Sequence, residues 1–399
     1  MLPILFVTVF LDLVGFGIIV PFLAYYVESF GAGAAVVGLL MASYSLAQFV
    51  FAPIWGRVSD RVGRRPILLL GLTGSVVGYT TFGLAGTLAM LFVGRILMGI
   101  FGATIPTAQA AVADVTEPEN RARGMGLIGA AIGLGFILGP ALGGILAHVS
   151  GALHVELFRR NPYALPCLAA AALALVNLCA AAFFLPESLP RELRGTAPVR
   201  ASRLQQLSQG LTDPRLRMLV LIYFLFILGF TMMEATLTLF IEKRIGSSDH
   251  AQLVRRVGYL FGFIGVILVA LQAGLVGRLA RKFGESKLLI AGCLLAAVSL
   301  GALPAVRSWL ELYAVSLGLA VSNGLAQPSV TSLISRAAGK SAQGSTLGTS
   351  QSASSLARVV GPALAGALFQ RFSPGAPYLL AAALALAAAA CVRVRPKEI

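Results

Sequence analysis

Four ionisable side chains lie inside long apolar segments of the chain, where an isolated charge is energetically unfavourable. They are Asp12, Arg95, Glu234 and Arg358. A charge near the centre of a bilayer costs at least ~2.5 kcal/mol, so such residues usually face a protein interior or a water-filled cavity. A carboxyl group in this setting can bind and release a proton, and a nearby arginine favours its ionised form. The pattern predicts proton binding at Asp12 and Glu234, with Arg95 adjusting their proton affinity and Arg358 as a structural charge.

Other interpretations of these charges remain open from the sequence alone. Asp12 could instead be a structural partner of a helix N-terminus or of an arginine. Glu234 could belong to a structural ion pair. Both interpretations require the carboxyl groups to lie within the protein rather than against lipid.

Polar side chains follow helical spacing near these charges, which is typical of a cavity wall in an otherwise apolar helix. Glu234 shares one face with three polar residues, and two further pairs are spaced one helical turn apart. The predicted cavity-lining residues are Tyr44, Gln48, Tyr223, Thr231, Thr238, Asn323 and Gln327.

The composition requires a membrane around these residues. Of 399 residues, 57% are hydrophobic and 12% are charged, whereas soluble domains carry about 25% charged residues. This excludes a soluble globular protein, a disordered chain and a disulfide scaffold. Runs of about 20 apolar residues suit membrane-spanning helices. Twelve are predicted, at 4–26, 33–55, 67–86, 88–111, 124–147, 163–185, 218–241, 254–276, 287–306, 309–333, 346–369 and 375–394.

The basic residues give these spans an orientation. The net charge of +15 would suggest nucleic-acid binding in a soluble protein, but the bases lie in short segments between apolar runs. One alternate set of loops and the C-terminal tail hold 21 Lys and Arg residues, and the opposite set holds 8. Because basic residues accumulate in cytoplasmic loops, both termini and the basic linker 186–217 are predicted to be cytoplasmic, with no nucleic-acid partner.

The two halves of the chain carry the same landmarks at nearly constant separation. The segment 56–63 matches 277–284, and 139–142 matches 361–364. Val37-Gly38 matches Val257-Gly258 in almost the same register, and Gly15-Phe16 matches Gly229-Phe230 after a small shift. The chain is therefore predicted to be an all-α membrane protein of two pseudo-symmetric six-helix bundles, 1–185 and 218–399, joined by the linker 186–217.

Several of these segments resemble signatures of the major facilitator superfamily. Gly56-x-x-x-Asp60-Arg61-x-Gly63-Arg64-Arg65 is similar to the superfamily's loop between spans two and three. Gly135-x-x-x-Gly139-Pro140-x-x-Gly143-Gly144 resembles the span-five signature of its drug–proton antiporters. Arg95-x-x-x-Gly99 and the span-one segment from Leu11 to Pro21 resemble two further signatures. The likeness covers the whole chain and is strongest to the tetracycline–proton antiporter branch.

The resemblance implies the major facilitator fold and roles for these motifs. The segment Gly56–Arg65 would form a loop whose glycines permit a reversal, with Asp60 in a conformational latch that favours the outward-facing state. The glycine stripe of span five would act as a hinge or seal, although close static packing explains small residues equally well. Tetracycline exporters carry a histidine in span eight and an acid in span nine. Here the three histidines are predicted in outer loops, and spans eight and nine contain no acid.

These observations predict a proton-coupled antiporter that exports small lipophilic drugs by alternating access. In this interpretation Asp12 and Glu234 bind protons and drug in competition. Alternatives are a transporter of a metabolite, a siderophore, a sugar or a lipid. An enzyme is not expected, because the only Gly-Lys-Ser lacks the first glycine of a phosphate-binding loop and no hydrolase motif occurs. We expect no cofactor, the proton as coupling ion, a monomer, and a bacterial cytoplasmic (inner) membrane location.

Overall fold

A computed structural model describes residues 1–117, 121–153, 155–190, 192, 194, 214–246, 250–271, 275–337 and 339–394. Most of the predicted linker, 195–213, lies outside these residues. The helices are α1 Leu2–Ile19, α2 Leu23–Glu28, α3 Ala34–Val62, α4 Arg64–Gly83, α5 Leu88–Ile100, α6 Thr104–Val115, α7 Arg121–Ala152, α8 Glu156–Arg160, α9 Ala164–Phe184, α10 Pro214–Arg244, α11 His250–Ala270, α12 Val276–Phe283, α13 Glu285–Ala302, α14 Trp309–Ala337, α15 Gly339–Arg371 and α16 Ala376–Val394.

The helices follow the twelve predicted spans. Within the described ranges, ten stretches are long and apolar enough to cross a membrane. The two predicted spans that are not among these ten, the tenth and the twelfth, correspond to α14 and α16. The apolar part of α16, Ala376–Val392, is shorter than the ten stretches. Helices are expected here, because each backbone group in hydrocarbon must find a partner within its own segment. His148 lies within α7, so the expectation of a loop around it was wrong.

The first and fourth predicted spans are interrupted near their middle or end. The first is interrupted at residues 20–22, around Pro21, and continues as α2. The fourth predicted span, 88–111, corresponds to the apolar stretch Leu88–Val115, which is interrupted at residues 101–103. Proline lacks the amide hydrogen that a continuous helix needs, and Pro106 stands one helical turn beyond Gly102.

The expected loop between spans two and three is also shorter than its motif. Helix α3 continues to Val62, so Gly56 lies inside a helix and does not form a turn. The chain reverses at Gly63, whose φ is +111°. Gly284, the equivalent glycine of the second half, has φ +83° and stands in the same position before α13. Positive φ favours glycine because no Cβ opposes it.

The described chain forms two compact units. The first comprises Met1–Phe30, Leu46–Arg200 and Ser248–Gly265, and the second comprises Gly31–Ser45, Ala201–Ser247 and Val266–Ile399. In the first unit α1 packs against α7 and α9, and α4 packs against α5, α6 and α9. In the second unit α10 packs against α15 and α16, and α13 packs against α14 and α16. The main contacts correspond helix by helix, as a duplicated bundle requires.

An aromatic pair repeats in the same way. In the first unit the rings of Tyr26 and Tyr163 have centroids 5.1 Å apart. In the second unit Phe240 and Tyr378 have centroids 5.0 Å apart. Phe240 and Tyr378 occupy the positions of the repeat that correspond to Tyr26 and Tyr163. The internal repeat therefore extends to side-chain packing.

Candidate functional site

Asp12 lies on α1 and is partly exposed, close to residues of two other helices. The Ser75 hydroxyl on α4 donates to Asp12 Oδ1 at 3.2 Å. Thr104, the first residue of α6, lies near the same carboxyl group. Residues of three helices of the first unit thus meet at Asp12, and the Ser75 hydroxyl can accommodate either protonation state of the carboxyl group.

Arg95 lies close to the same part of α1. Its side chain is 3% exposed, and its guanidinium carbon is 5.8 Å from the ring centre of Phe16 and 5.4 Å from that of Phe82. Aromatic faces attract a cation and reduce the cost of placing it among apolar groups. Phe16 follows Asp12 by one turn of α1, so the Arg95 guanidinium on α5 contacts α1 one helical turn beyond the acid.

Glu234 lies on α10 in the second unit and is partly exposed. The neighbouring threonines of its predicted stripe, Thr231 and Thr238, are both 3% exposed. The Thr231 hydroxyl donates to the carbonyl of Ile227 at 3.0 Å and lies 3.3 Å from the carbonyl of Ala357 on α15. Thr231 therefore stands in the contact between α10 and α15, while Glu234 has the more exposed side chain.

The other predicted lining residues differ in their surroundings. Tyr223 and Gln327 are partly exposed in the second unit, and Asn323 is buried there. Tyr44 belongs to the second unit and Gln48 to the first, so that predicted pair is divided between the units. The Gln48 amide donates to the carbonyl of Gly102 at 2.8 Å. Arg358 is exposed on α15.

Arg64 is the centre of a buried ionic network at the turn between α3 and α4. Its guanidinium pairs with Asp60, donates to Asp114 Oδ2 on α6 at 2.9 Å, and donates to Ser59 Oγ at 2.7 Å. Asp60 thus pairs with the arginine that follows it by four residues. Arg61 is exposed at the end of α3.

A carboxylate that the motif does not contain completes this turn. The Glu187 carboxylate accepts hydrogen bonds from the backbone amides of Arg64 at 2.8 Å and Arg65 at 3.2 Å. An acid at a helix N-terminus satisfies unpaired amides and interacts favourably with the helix dipole. A Cβ on Gly63 would collide with the Glu187 carboxylate, so glycine is required here for space as well as for its φ.

The second unit contains a charge-reversed counterpart of the Arg64–Asp114 pair. Glu285 on α13 pairs with Arg336 on α14 at 3.0 Å. In the internal repeat, Glu285 corresponds to Arg64 and Arg336 corresponds to Asp114. Each unit therefore joins the corresponding two helices by an ion pair, with the signs exchanged between units.

The glycines of α7 make two different contacts within the first unit. Gly135, Gly139 and Gly143 all face α1, and a Cβ on Gly139 would lie 2.7 Å from the Cα of Gly17. Gly144 faces α11, where its Cβ would lie 3.1 Å from the Cα of Gly258. Pro140 lies inside α7 and contacts Gly17. Small residues thus allow α1 and α7 to approach closely, as expected in membranes.

Sequence reasoning missed Ser75, Thr104, Asp114 and Glu187. Glu187 has a weak signal, because an acid directly follows a proline at the end of an apolar run. Asp114 has none, because its partner Arg64 is distant in the sequence. Among the described residues, no group of three or more His, Cys, Asp or Glu side chains could hold a metal ion.

Comparisons with family models, with curated proteins and with solved structures each find proteins similar to this chain. The model of the Major Facilitator Superfamily matches residues 5–284 and 257–398. The chain is 33% identical to the tetracycline resistance protein, class C, of Escherichia coli, over 91% of this chain and 88% of that protein. It is 28% identical to multidrug resistance protein 2 of Bacillus subtilis, over 92% and 88%. The structure of the human organic anion transporter MFSD10 has a TM-score of 0.73 at 26% identity and covers 98% of both chains.

Proposed function

Since the chain belongs to the major facilitator superfamily, we propose that it is a proton-coupled antiporter that exports small lipophilic drugs, cationic or zwitterionic. It is an integral membrane transporter with the major facilitator fold. Transporters of this architecture alternate access by moving two bundles around a site near the membrane midplane.

The observation that carries the proposal is the extent of the likeness to resistance proteins. The match to the class C tetracycline resistance protein covers about nine-tenths of both chains. The match to multidrug resistance protein 2 is nearly as long. A likeness of this length supports a shared transport activity as well as a shared fold.

Proton coupling is assigned to Asp12 and Glu234. Asp12 lies in an apolar span with the Ser75 hydroxyl at 3.2 Å, and the Arg95 cation on α5 lies against Phe16, one turn of α1 beyond Asp12. The free energy of ionising a carboxyl group in an apolar span depends on the polar groups around it. Glu234 would provide a second carboxyl in the other unit, where protons and drug compete.

The protein is further proposed to act as a monomer in a bacterial cytoplasmic membrane, with both termini cytoplasmic. The excess of basic residues in one set of loops supports this orientation. The proton is the coupling ion, and no cofactor takes part. Its partners are the lipid bilayer and the small-molecule substrate.

The test is counterflow in proteoliposomes that contain the purified protein and no ATP. An imposed pH gradient should drive movement of ethidium or tetracycline against the proton flux. Asp12→Asn and Glu234→Gln should each reduce this coupled transport at least tenfold. Absence of gradient-driven movement for every probe, with folded wild-type protein, would refute the proposal.

The matched control is Glu156→Gln. Glu156 forms an exposed pair with Arg160, and their side chains are 66% and 79% exposed. Exposed pairs of this kind contribute about 0–1 kcal/mol. Coupled transport should therefore remain at the wild-type rate. A loss equal to that of Glu234→Gln would show that carboxylate removal acts non-specifically.

Export of organic anions is the second candidate, and Arg95 favours it. The residue places a positive charge at 3% exposure in the first unit, against the rings of Phe16 and Phe82. The organic anion transporter MFSD10 also shares 26% identity with this chain. Fluorescein as an anionic probe in the same proteoliposomes separates the two candidates, because only one charge type should follow the pH gradient.

A further inference from the structure

Helices α7 and α11 pack closely along a seam that ends in a contact between a histidine and an arginine. A Cβ on Gly144 would lie 3.1 Å from the Cα of Gly258, and a Cβ on Gly258 would lie 2.8 Å from the carbonyl oxygen of Pro140. One helical turn further along α7, His148 Nε2 lies 3.3 Å from Arg255 Nη1. All of these residues belong to the first unit. The two side chains therefore meet where small residues let the two backbones approach.

The polarity of this contact fixes the protonation state of the histidine. A guanidinium group carries hydrogen-bond donors and no acceptor, and it stays charged. Arg255 must therefore donate, and His148 Nε2 must be the unprotonated nitrogen of a neutral ring. Among the described residues, His148 Nδ1 and Arg255 Nε are buried and have no hydrogen-bond partner. Within the same part of the chain, the imidazole ring thus depends on its contact with Arg255.

Protonation of His148 removes this hydrogen bond. An imidazolium ring has donors on both nitrogens and cannot accept a hydrogen bond from Arg255. Two cations would then face each other across the present distance of 3.3 Å. Like charges so close repel, and they repel more strongly where burial excludes water. Histidine is the side chain that gains its charge between about pH 8 and pH 5. The contact is therefore favourable in neutral solution and unfavourable in acid.

The surroundings of the contact are basic. Other ionisable residues near this end of the neighbouring helices include His250, Arg256 and Tyr259 on α11, Glu156, Arg159 and Arg160 on α8, and Tyr163 before α9. Helix α1 carries none beyond Asp12, and Asp114 on α6 belongs to the ionic network at the turn between α3 and α4. Glu156 pairs with Arg160 at 2.9 Å. A positive charge on His148 would therefore join an excess of basic groups.

The second unit contains the repeat-related seam, between α3 and α15, with a different polar contact. A Cβ on Gly366 of α15 would collide with the backbone of α3. Gln370 Oε1 accepts a hydrogen bond from the backbone amide of Ala35 at 3.1 Å. In the internal repeat, Gly366 corresponds to Gly144. Gln370 corresponds in the same register to His148. Because a glutamine amide is uncharged, the contact of Gln370 cannot respond to a proton as that of His148 can.

We propose that His148 is a proton-binding site that controls the separation of α7 and α11. With a neutral ring, the hydrogen bond from Arg255 holds the ends of the two helices together. A proton that binds to Nε2 from water breaks this bond, and repulsion between the two cations separates the ends. The inference deepens the proposed function, because the proposed orientation puts this end of α7 at the outer side of the membrane. External acid would then favour opening of the side where exported drug leaves.

The test measures the separation of α7 and α11 by electron paramagnetic resonance in nanodiscs, without substrate or pH gradient. Spin labels are attached through Val149→Cys and Tyr259→Cys, at residues that are 40% and 48% exposed, after the four natural cysteines are replaced by alanine. The label separation should increase by about 2 Å when the pH falls from about 8 to about 5. Nitrogen-15 NMR of the histidine rings should show His148 neutral, with its proton on Nδ1, at the higher pH.

Three variants identify the group that responds. His148→Gln gives the first unit the chemistry of the Gln370 contact, so it is compatible with the fold and should abolish the change in separation. Arg255→Gln should also abolish the change, because an amide can donate to a neutral ring or accept from a charged one. The matched control is His250→Gln, which removes another histidine of the same two helices and should keep the wild-type change.

The outcomes separate this inference from the proposed function. Equal label separations at both pH values in the wild type would overturn the inference, and so would a wild-type response in His148→Gln or a lost response in His250→Gln. Labels that separate in acid, in a protein that moves no probe under a pH gradient, would support the proton site and refute the proposed export. Gradient-driven export with no change in separation would support the export and refute the proton site.

Discussion

The contact between α1 and α7 gives a quantitative prediction about helix packing. A Cβ on Gly139 would lie 2.7 Å from both the Cα of Gly17 and the carbonyl oxygen of Val14, whereas ordinary contact begins at 3.4 Å. Gly139→Ala must therefore separate the two helices by about 0.7 Å, the difference between these distances. Both opposing atoms belong to backbone, so no side chain can turn away. Overpacking of this kind costs about 1–3 kcal/mol.

The assay is thermal unfolding of the purified protein in detergent, followed by loss of helical circular dichroism. Gly139→Ala should lower the melting temperature by several degrees. The control is Gly129→Ala on the same helix, where a new Cβ has no neighbour within 4 Å. Alanine also favours helix by about 1 kcal/mol over glycine, so this control should melt at or above the wild-type temperature. Equal melting temperatures for the two variants would refute the close-packing argument.

Transport by the same variants separates the two interpretations of the glycine stripe. Static packing predicts that Gly139→Ala transports at the wild-type rate well below its melting temperature. A hinge or seal predicts a large loss of counterflow even where the variant is fully folded, because the helices must slide during the cycle. The ratio of the transport rates of Gly139→Ala and Gly129→Ala, measured well below both melting temperatures, decides between static packing and a hinge or seal.

The remaining predictions concern ion pairs and buried hydroxyls, each measured by thermal unfolding in detergent. Arg64→Ala leaves two carboxylates in a largely buried network and should lower the free energy of unfolding by about 3–5 kcal/mol. Arg336→Ala removes a side chain that is 74% exposed and should lower it by about 0–1 kcal/mol. Equal losses of stability in the two variants would contradict the difference in burial. Tyr26→Phe removes a hydroxyl that contacts a carbonyl at 2.9 Å and an asparagine amide at 2.6 Å. Tyr378→Phe removes a hydroxyl with a hydrogen bond at 3.2 Å. Tyr26→Phe should therefore lower the free energy of unfolding more than Tyr378→Phe does. A larger loss for Tyr378→Phe would count against this assignment.

Much of the architecture follows from the sequence because it depends on local composition and on repetition. Apolar runs of about 20 residues predict spans wherever they occur, since the bilayer sets the length. The internal repeat predicts equivalent turns, and Gly63 and Gly284 both adopt positive φ. The pairing of Asp60 with Arg64 is also local, because it joins residues four apart in the sequence on either side of the turn at Gly63. These features need no knowledge of distant neighbours.

The partners of the polar groups were decided by the tertiary structure. Helical spacing placed Thr231 on one face with Glu234, but the bundle set Thr231 against α15. The same spacing joined Gln48 to Tyr44, yet Gln48 binds the carbonyl of Gly102, which is remote in the sequence. The helical period identifies a face without saying what the face meets. Only packing determines that.

For this protein, the sequence by itself determined a duplicated bundle of membrane helices with acids in two of its spans. It also contained the cause of the break in the fourth span, Pro106, because a missing amide is a local property. Only the tertiary structure decided that the Gln48 amide donates to the carbonyl of Gly102 and that the Ser75 hydroxyl donates to Asp12. Such contacts join separate helices, and their geometry depends on how closely glycine lets the backbones approach.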